Sequence, residues 1–221
     1  MGRGSSKAGG GSANSGGLYD GLHTEGKAAD QKRADEVVKG TRDVLRDFGA
    51  EDELRGVYFS DRKTAHGMNG QGDLSISNKL LREPNESSNG YFVSDTDYGT
   101  GAHEAGHAVV NALLKRGVSI NPGETGKTPA RAKLERATAR NKGKLEIAII
   151  KEAQKRYGSN PAISGYGSKK VTEKVAEAVS DVYANKGRAK PYSKVIVEVM
   201  KDIKNGKFKP VIKVSKREMG I

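Results

Sequence analysis

Residues 103–107 read His-Glu-Ala-Gly-His. On a helix, positions i and i+4 lie on one face about 6 Å apart, so two imidazoles at this spacing can converge on one tetrahedral metal ion. Glu104 is rotated off that line, but not far. It can stand beside the metal without ligating it and take a proton from a water whose pKa the metal has lowered. The bland alternative is a helix with two histidines on its surface. The chain has only four histidines, and HExxH arises by chance on the order of once in a hundred such sequences. The neighbours weaken that alternative further. Ala105, Gly106 and Ala108 are small enough for close packing, and Val109, Val110, Leu113 and Leu114 give the helix an apolar side. A buried helix does not carry His, Glu and His inward without something to satisfy them.

Two histidines do not complete a site, because a catalytic zinc usually has three protein ligands and an open position. The extended HExxHxxGxxH pattern would place a third histidine at position 113, which is Leu. His23 and His66 lie upstream in segments that read as loops. A downstream carboxylate is the better candidate. Glu173, Glu177 and Asp181 are spaced four apart on a helical segment, so one can bind the metal while the next, one turn on, orients a histidine. Two registers are open: Glu173 as ligand with Glu177 behind it, or Glu177 as ligand with Asp181 behind it. The ligand types favour zinc.

The elements that must position these residues are legible in outline. Residues 1–17 are Gly/Ser-rich and read as a flexible arm, 18–206 as the folded domain, and 207–221 as a basic tail. Residues 27–49 read as an amphipathic helix stopped by Gly49. Three short extended segments follow at 54–60, 72–77 and 90–95, which predict a small antiparallel or mixed sheet. The HExxH helix spans 102–115 and ends at Gly117. Residues 118–130 read as a loop, and 130–157 as one broken or two short basic helices interrupted near Gly143. Residues 168–187 read as a helix capped by Ser168 with a stripe of Val171, Val175, Val179 and Val182. A last helix covers 191–206. The fold class is therefore α+β.

Composition removes several chemistries. There is no cysteine, which excludes disulfides, thiolate metal sites and a cysteine nucleophile. No apolar run approaches the length of a membrane span, and the N-terminus lacks the apolar core of a signal peptide. The formal net charge is +12, and between Lys127 and Arg156 ten Lys/Arg face three Glu. That segment is either a solvated helix face or a docking surface for an acidic partner. Only 5% of residues are aromatic and no nucleic-acid motif is present, which argues against nucleic acid as the partner.

HExxH followed by a glutamate on a later helix resembles the gluzincin metallopeptidases. The stretch "ISGYGSKKVTEKVAEAVSDVYANKGRAKPYSKVIVEVM" (163–200) is similar to the C-terminal zincin domains of the anthrax lethal-factor-like group, which also occur in phage minor-head and polymorphic-toxin proteins. Those domains tend to show Ile-Ser-x-Tyr with a Glu seven residues after the Tyr, then Ala-Glu-Ala. Here Tyr166 precedes Glu173 by seven, and "AEA" is 176–178. The resemblance covers roughly residues 54–202 and is strongest at 99–115 and 162–198. It implies a zincin-like fold, with a small mixed sheet packed on the HExxH helix and a third-ligand helix. It implies that His103, His107 and Glu173 bind zinc, that Glu104 is the general base, that Glu177 supports a histidine, and that Tyr166 points at the oxyanion or leaving group. One departure stands out: "KVA" lies between the two glutamates, where the family often has aromatic residues. The alternative "EAVSD" register at 177–181 resembles the thermolysin-like pattern. The function implied is a zinc-dependent peptidase acting on a peptide or protein, associated with a phage or toxin. The contrasting expectation is a non-catalytic phage structural or interaction protein that keeps the fold and binds an acidic partner through its basic surface.

Overall fold

The computed structural model describes residues 17–84, 89–117 and 131–210, with side chains for all of these except 115–117 and 131–140. Residues 1–16, 85–88, 118–130 and 211–221, which include most of the expected arm, the expected loop and most of the expected tail, lie outside the described residues.

A short strand β1 (His23–Glu25) leads into helix α1 (Gln31–Asp47). The Asp30 side chain starts that helix by accepting from Arg33 N at 3.1 Å. Strands β2 (Gly56–Ser60), β3 (Gly67–Met68) and β4 (Asp73–Ser77) follow, then a short helix α2 (Asn78–Arg82). The rest is helical: α3 (Asp97–Gly117), α4 (Arg131–Tyr157), α5 (Val171–Asn185) and α6 (Pro191–Lys204). The four strands form one mixed sheet in the order β1-β2-β4-β3. β1 and β2 are parallel, β2 and β4 are parallel, and β3 runs antiparallel to β4 along one edge. Val57, Leu74 and Ile76 send fully buried side chains from the sheet into the core. The architecture is thus α+β.

The central element is α3, which packs on α1, α4, α5 and α6. Its closest partner is α1, where Gly101 meets the α1 backbone at Val37 and Gly40 meets the α3 backbone at Tyr98. A Cβ at either glycine would collide with a carbonyl oxygen, so both glycines are needed for the crossing. The buried Thr41 hydroxyl donates to Val37 O at 3.0 Å and lies 3.1 Å from Gly101 O, fastening the same crossing.

Several expected elements differ. Residues 90–95 form turns and bends rather than a strand, because their backbone groups bond to α5 and to the segment before it. Strands β1 and β3 are too short to show an alternating pattern. The helix carrying HExxH begins at Asp97, five residues earlier than expected. α4 runs unbroken through Gly143, since Leu145, Ile149 and Ala153 bury one side of it. α5 begins at Val171, and its N-cap Lys170 makes no side-chain cap bond. Ser168 is not the cap; its hydroxyl donates to Ser164 O at 2.9 Å.

The glycines give opposite expectations. Gly101→Ala should destabilise the fold by about 1–3 kcal/mol through overpacking, a melting-temperature loss of roughly 2–4 °C per kcal/mol in a chain of this size. Gly143 has open space around its Cβ position, so Gly143→Ala should stabilise by up to about 1 kcal/mol. Thermal melts of the two variants check both signs, and a Gly101→Ala protein as stable as wild type would contradict the packing described.

Candidate metal centre

The site forms where α3 crosses α5. A Cβ on Gly106 would sit 3.0 Å from Ala176 Cα and 3.2 Å from Val179 Cβ. This close approach brings Glu173 and Glu177 up to the two histidines. Ser180 fastens the crossing by donating to Gly99 O at 2.8 Å.

His103 Nε2 and His107 Nε2 lie 3.4 Å and 3.6 Å from the same oxygen, Glu173 Oε2. One ligand atom from each of the three residues falls within 4.8 Å of the others. Glu173 Oε2 is buried and has no hydrogen-bond partner among the described residues. Two imidazole nitrogens and an orphaned carboxylate oxygen facing one point suit a shared cation. Ligand atoms about 2.0–2.1 Å from a tetrahedral zinc stand roughly 3.3 Å apart, close to the two separations measured to Glu173 Oε2. The three residues could therefore hold a metal ion.

Glu177 occupies a different position. Its Oε1 lies 3.0 Å from His103 Nδ1, and its Oε2 accepts from Val93 N at 2.8 Å. With both oxygens engaged, it orients the His103 ring and leaves Nε2 turned to Glu173, an arrangement common behind histidine ligands. Asp181, one turn further on, faces away from the histidines. It accepts from Asn185 Nδ2 at 2.7 Å and from Lys190 N at 2.9 Å, bracing the corner into α6. The geometry thus groups Glu173, not Glu177 or Asp181, with His103 and His107.

Glu104 projects beside this group. Its Oε2 accepts from Met68 N at 2.9 Å, which ties it to the edge strand β3. Tyr166 stands over the site, its ring centre 5.8 Å from that of His103. Burial and the nearby Glu173 carboxylate raise the Tyr166 phenol above its ordinary value, so it stays protonated and able to donate. Tyr166 N donates to Tyr91 O at 2.7 Å, and Asn185 Nδ2 donates to Val93 O at 3.2 Å. These bonds hold the 90–93 segment across the mouth of the site. Tyr91, Phe92 and Tyr166 form an aromatic cluster there, with Tyr91 and Phe92 exposed.

A cavity of about 580 Å³ opens from His103 and Glu104 toward the Arg33–Asp97 ion pair and His66. Sequence reasoning placed none of these three in the site. His66 accepts from Ser77 N at 3.3 Å, and burial pushes its pKa down. His23, the other upstream histidine, is in β1. A second missed feature is on α4. Glu146 is fully buried, with neither oxygen hydrogen-bonded among the described residues, and lies 4.0 Å from Lys142 Nζ. Burial pushes Glu146 up to about 7 and lowers Lys142. The signal was a Lys and a Glu at i,i+4 on what reads as a solvated basic helix.

Two opposed forces act on His103. Burial lowers its pKa, but the carboxylates of Glu173 and Glu177 prevail and lift it to about 9. The two imidazoles, in turn, hold Glu173 well below the usual carboxylate range. In metal-free protein the His103 contribution to stability is complete below about 6.5 and is lost as pH rises through about 9. The Glu173 contribution has the opposite sign: it is present above about 4.5 and lost as pH falls. Melts in the presence of a chelator should therefore show stability declining from pH 6.5 to 9. Zinc uptake at pH 7.5 should release about one proton, seen by calorimetry in buffers of different ionisation enthalpy. No proton release would show that His103 is neutral before metal binds.

Comparison with models of protein families, with curated proteins and with solved structures found no match to this chain. What the site does is therefore carried by its own side chains.

Proposed function

We propose that this protein is a zinc-dependent peptidase of the gluzincin type. The observation that carries the reading is the convergence of His103 Nε2, His107 Nε2 and the unpartnered Glu173 Oε2, with Glu104 beside them on the same helix. His103, His107 and Glu173 would hold the zinc, which supplies a Lewis acid to polarise a scissile carbonyl and lowers the pKa of water in the site.

The chain's own residues supply the rest. Glu177 holds the His103 ring through Nδ1, keeping Nε2 directed at the site. With its Oε2 tied to Met68 N, Glu104 has Oε1 left to accept a proton from the attacking water and deliver it to the leaving nitrogen. The Tyr166 hydroxyl donates to the oxygen on which charge develops. A peptide is favoured over a smaller substrate by the sheet edge. β3 is an outer strand, and its Met68 N–H points away from β4 toward Glu104. With that N–H taken by Glu104, an extended chain beside β3 has the outer edge next to the base to lie along. Residues 90–95, which read as a strand in the sequence, lie across the site mouth and are not part of the sheet.

Metal analysis and cleavage of a quenched-fluorescent peptide library test this. Wild type should hold one zinc per chain and cleave peptides. Glu104→Gln should keep its zinc and lose about 10²–10⁴-fold in kcat, and Tyr166→Phe about 10²-fold. Glu173→Ala should lose the metal, while Glu177→Ala should weaken it by about 10–100-fold. A wild type that binds no zinc, or a Glu104→Gln variant with full activity, would overturn the reading.

A further inference from the structure

Charge is segregated along the chain, and the site lies at the boundary. Residues 18–114 carry eleven Lys/Arg against seventeen Asp/Glu, whereas residues 141–210 carry sixteen Lys/Arg against seven. The seven acids of the second group do little to neutralise its surface. Glu146, Glu177 and Asp181 are buried, and Glu173 faces the histidines. Glu152, Glu198 and Asp202 all gather around Arg156, at 3.0, 3.9 and 2.6 Å.

The lysines of that half include three beside the site. Lys169 is exposed, with Nζ 4.9 Å from the Tyr91 ring centre and 5.9 Å from that of Tyr166, so it sits on the rim of the aromatic cluster. Lys170 is exposed at the start of α5, three residues before Glu173. Neither pairs with a carboxylate among the described residues. Lys142, from α4, lies close enough to Glu104 and Glu173 to feel both charges. Acids line the cavity itself: Glu83 and Asp95 are among its lining residues and are exposed. A peptide leaving the cavity past Tyr91 and Tyr166 thus moves from exposed carboxylates to the exposed Lys169 and Lys170.

We propose that the cleft orients its substrate by charge, taking peptides that bear carboxylate side chains on the α5 side of the cleft, against Lys169 and Lys170. Opposite charges at this boundary steer an acidic segment toward α5 and repel it from Glu83 and Asp95, so one chain direction is favoured over its reverse. The aromatic rings of Tyr91 and Tyr166 reinforce this by holding the Lys169 ammonium at the rim rather than letting it swing into water. This inference rests on the peptidase reading for its substrate class, but not for its charge preference.

The test separates the two. Full-length Glu104→Gln protein, loaded with zinc, is titrated with fluorescein-labelled peptides that differ only in a block of four Glu, four Lys or four Ser. The Glu peptide should bind at least tenfold more tightly than the Ser peptide at low salt, with the gap closing as salt rises. The Lys169→Glu/Lys170→Glu double change should abolish that preference, and Lys169→Gln/Lys170→Gln should reduce it while leaving the melting temperature unchanged. Equal affinities for the three peptides would overturn the proposal. So would a Glu preference that survives both double variants, since the acidic peptide would then be held elsewhere. In parallel, cleavage sites of active wild type on a denatured protein mixture are mapped by mass spectrometry. Acidic residues should be enriched on one side of the cut, and enrichment on neither side would count against orientation. If the charge preference in binding is present but wild type cleaves nothing, the peptidase reading fails and the charge recognition stands.

Discussion

At the crossing of α3 and α5, Gly106 leaves no room for a side chain against Ala176, and this contact sets where every chemical group of the site can be. Helices packed at ordinary distance would leave the carboxylates of α5 short of the imidazoles of α3. With Gly106 and Ala176 in contact, one turn of α5 delivers Glu173 to both Nε2 atoms, and the next delivers Glu177 to His103 Nδ1. The same approach pins α3 between α5 and α1, where Gly101 and Gly40 make the equivalent close contact. The helix bearing the histidines is therefore clamped on two sides.

Burial then creates the electrostatic problem that the site is built to solve. Glu173 and Glu177 face two imidazoles in a space with little water, and a charged group there needs a partner of opposite sign. Without a cation, His103 supplies the positive charge by keeping its proton to about pH 9. A divalent ion in its place would satisfy the orphaned Glu173 oxygen and accept the lone pairs of both Nε2 atoms. The remaining parts are fixed by backbone. Met68 N orients Glu104, Val93 N orients Glu177, and the 90–93 segment is held to Tyr166.

The HExxH pair was legible in the sequence because helical spacing is local: residues four apart share a face whatever the helix packs against. The choice between Glu173 and Glu177 was not, because both lie on the same face of α5. Only the height at which α5 passes α3, set by Gly106 and Ala176, distinguishes them. Residues 90–95 read as a strand because Tyr91, Phe92 and Val93 have strand-forming side chains, yet their backbone groups bond to Glu177, Asn185 and Tyr166 instead of to a ladder. Gly143 read as a break because propensity is judged one residue at a time. Burial of Leu145, Ile149 and Ala153 outweighs the roughly 1 kcal/mol that a helical glycine costs. Lys142 and Glu146 read as solvated for the same reason: nothing local marks which face of α4 turns inward.

Anomalous diffraction from crystals of zinc-loaded protein, collected on both sides of the zinc absorption edge, would show whether one zinc sits between His103, His107 and Glu173. The expected result is a single strong peak contacting His103 Nε2, His107 Nε2 and a Glu173 oxygen, with Glu177 on His103 Nδ1 and not on the metal. A peak bound by Glu177 or Asp181 in place of Glu173, or no peak between the two histidines, would contradict it.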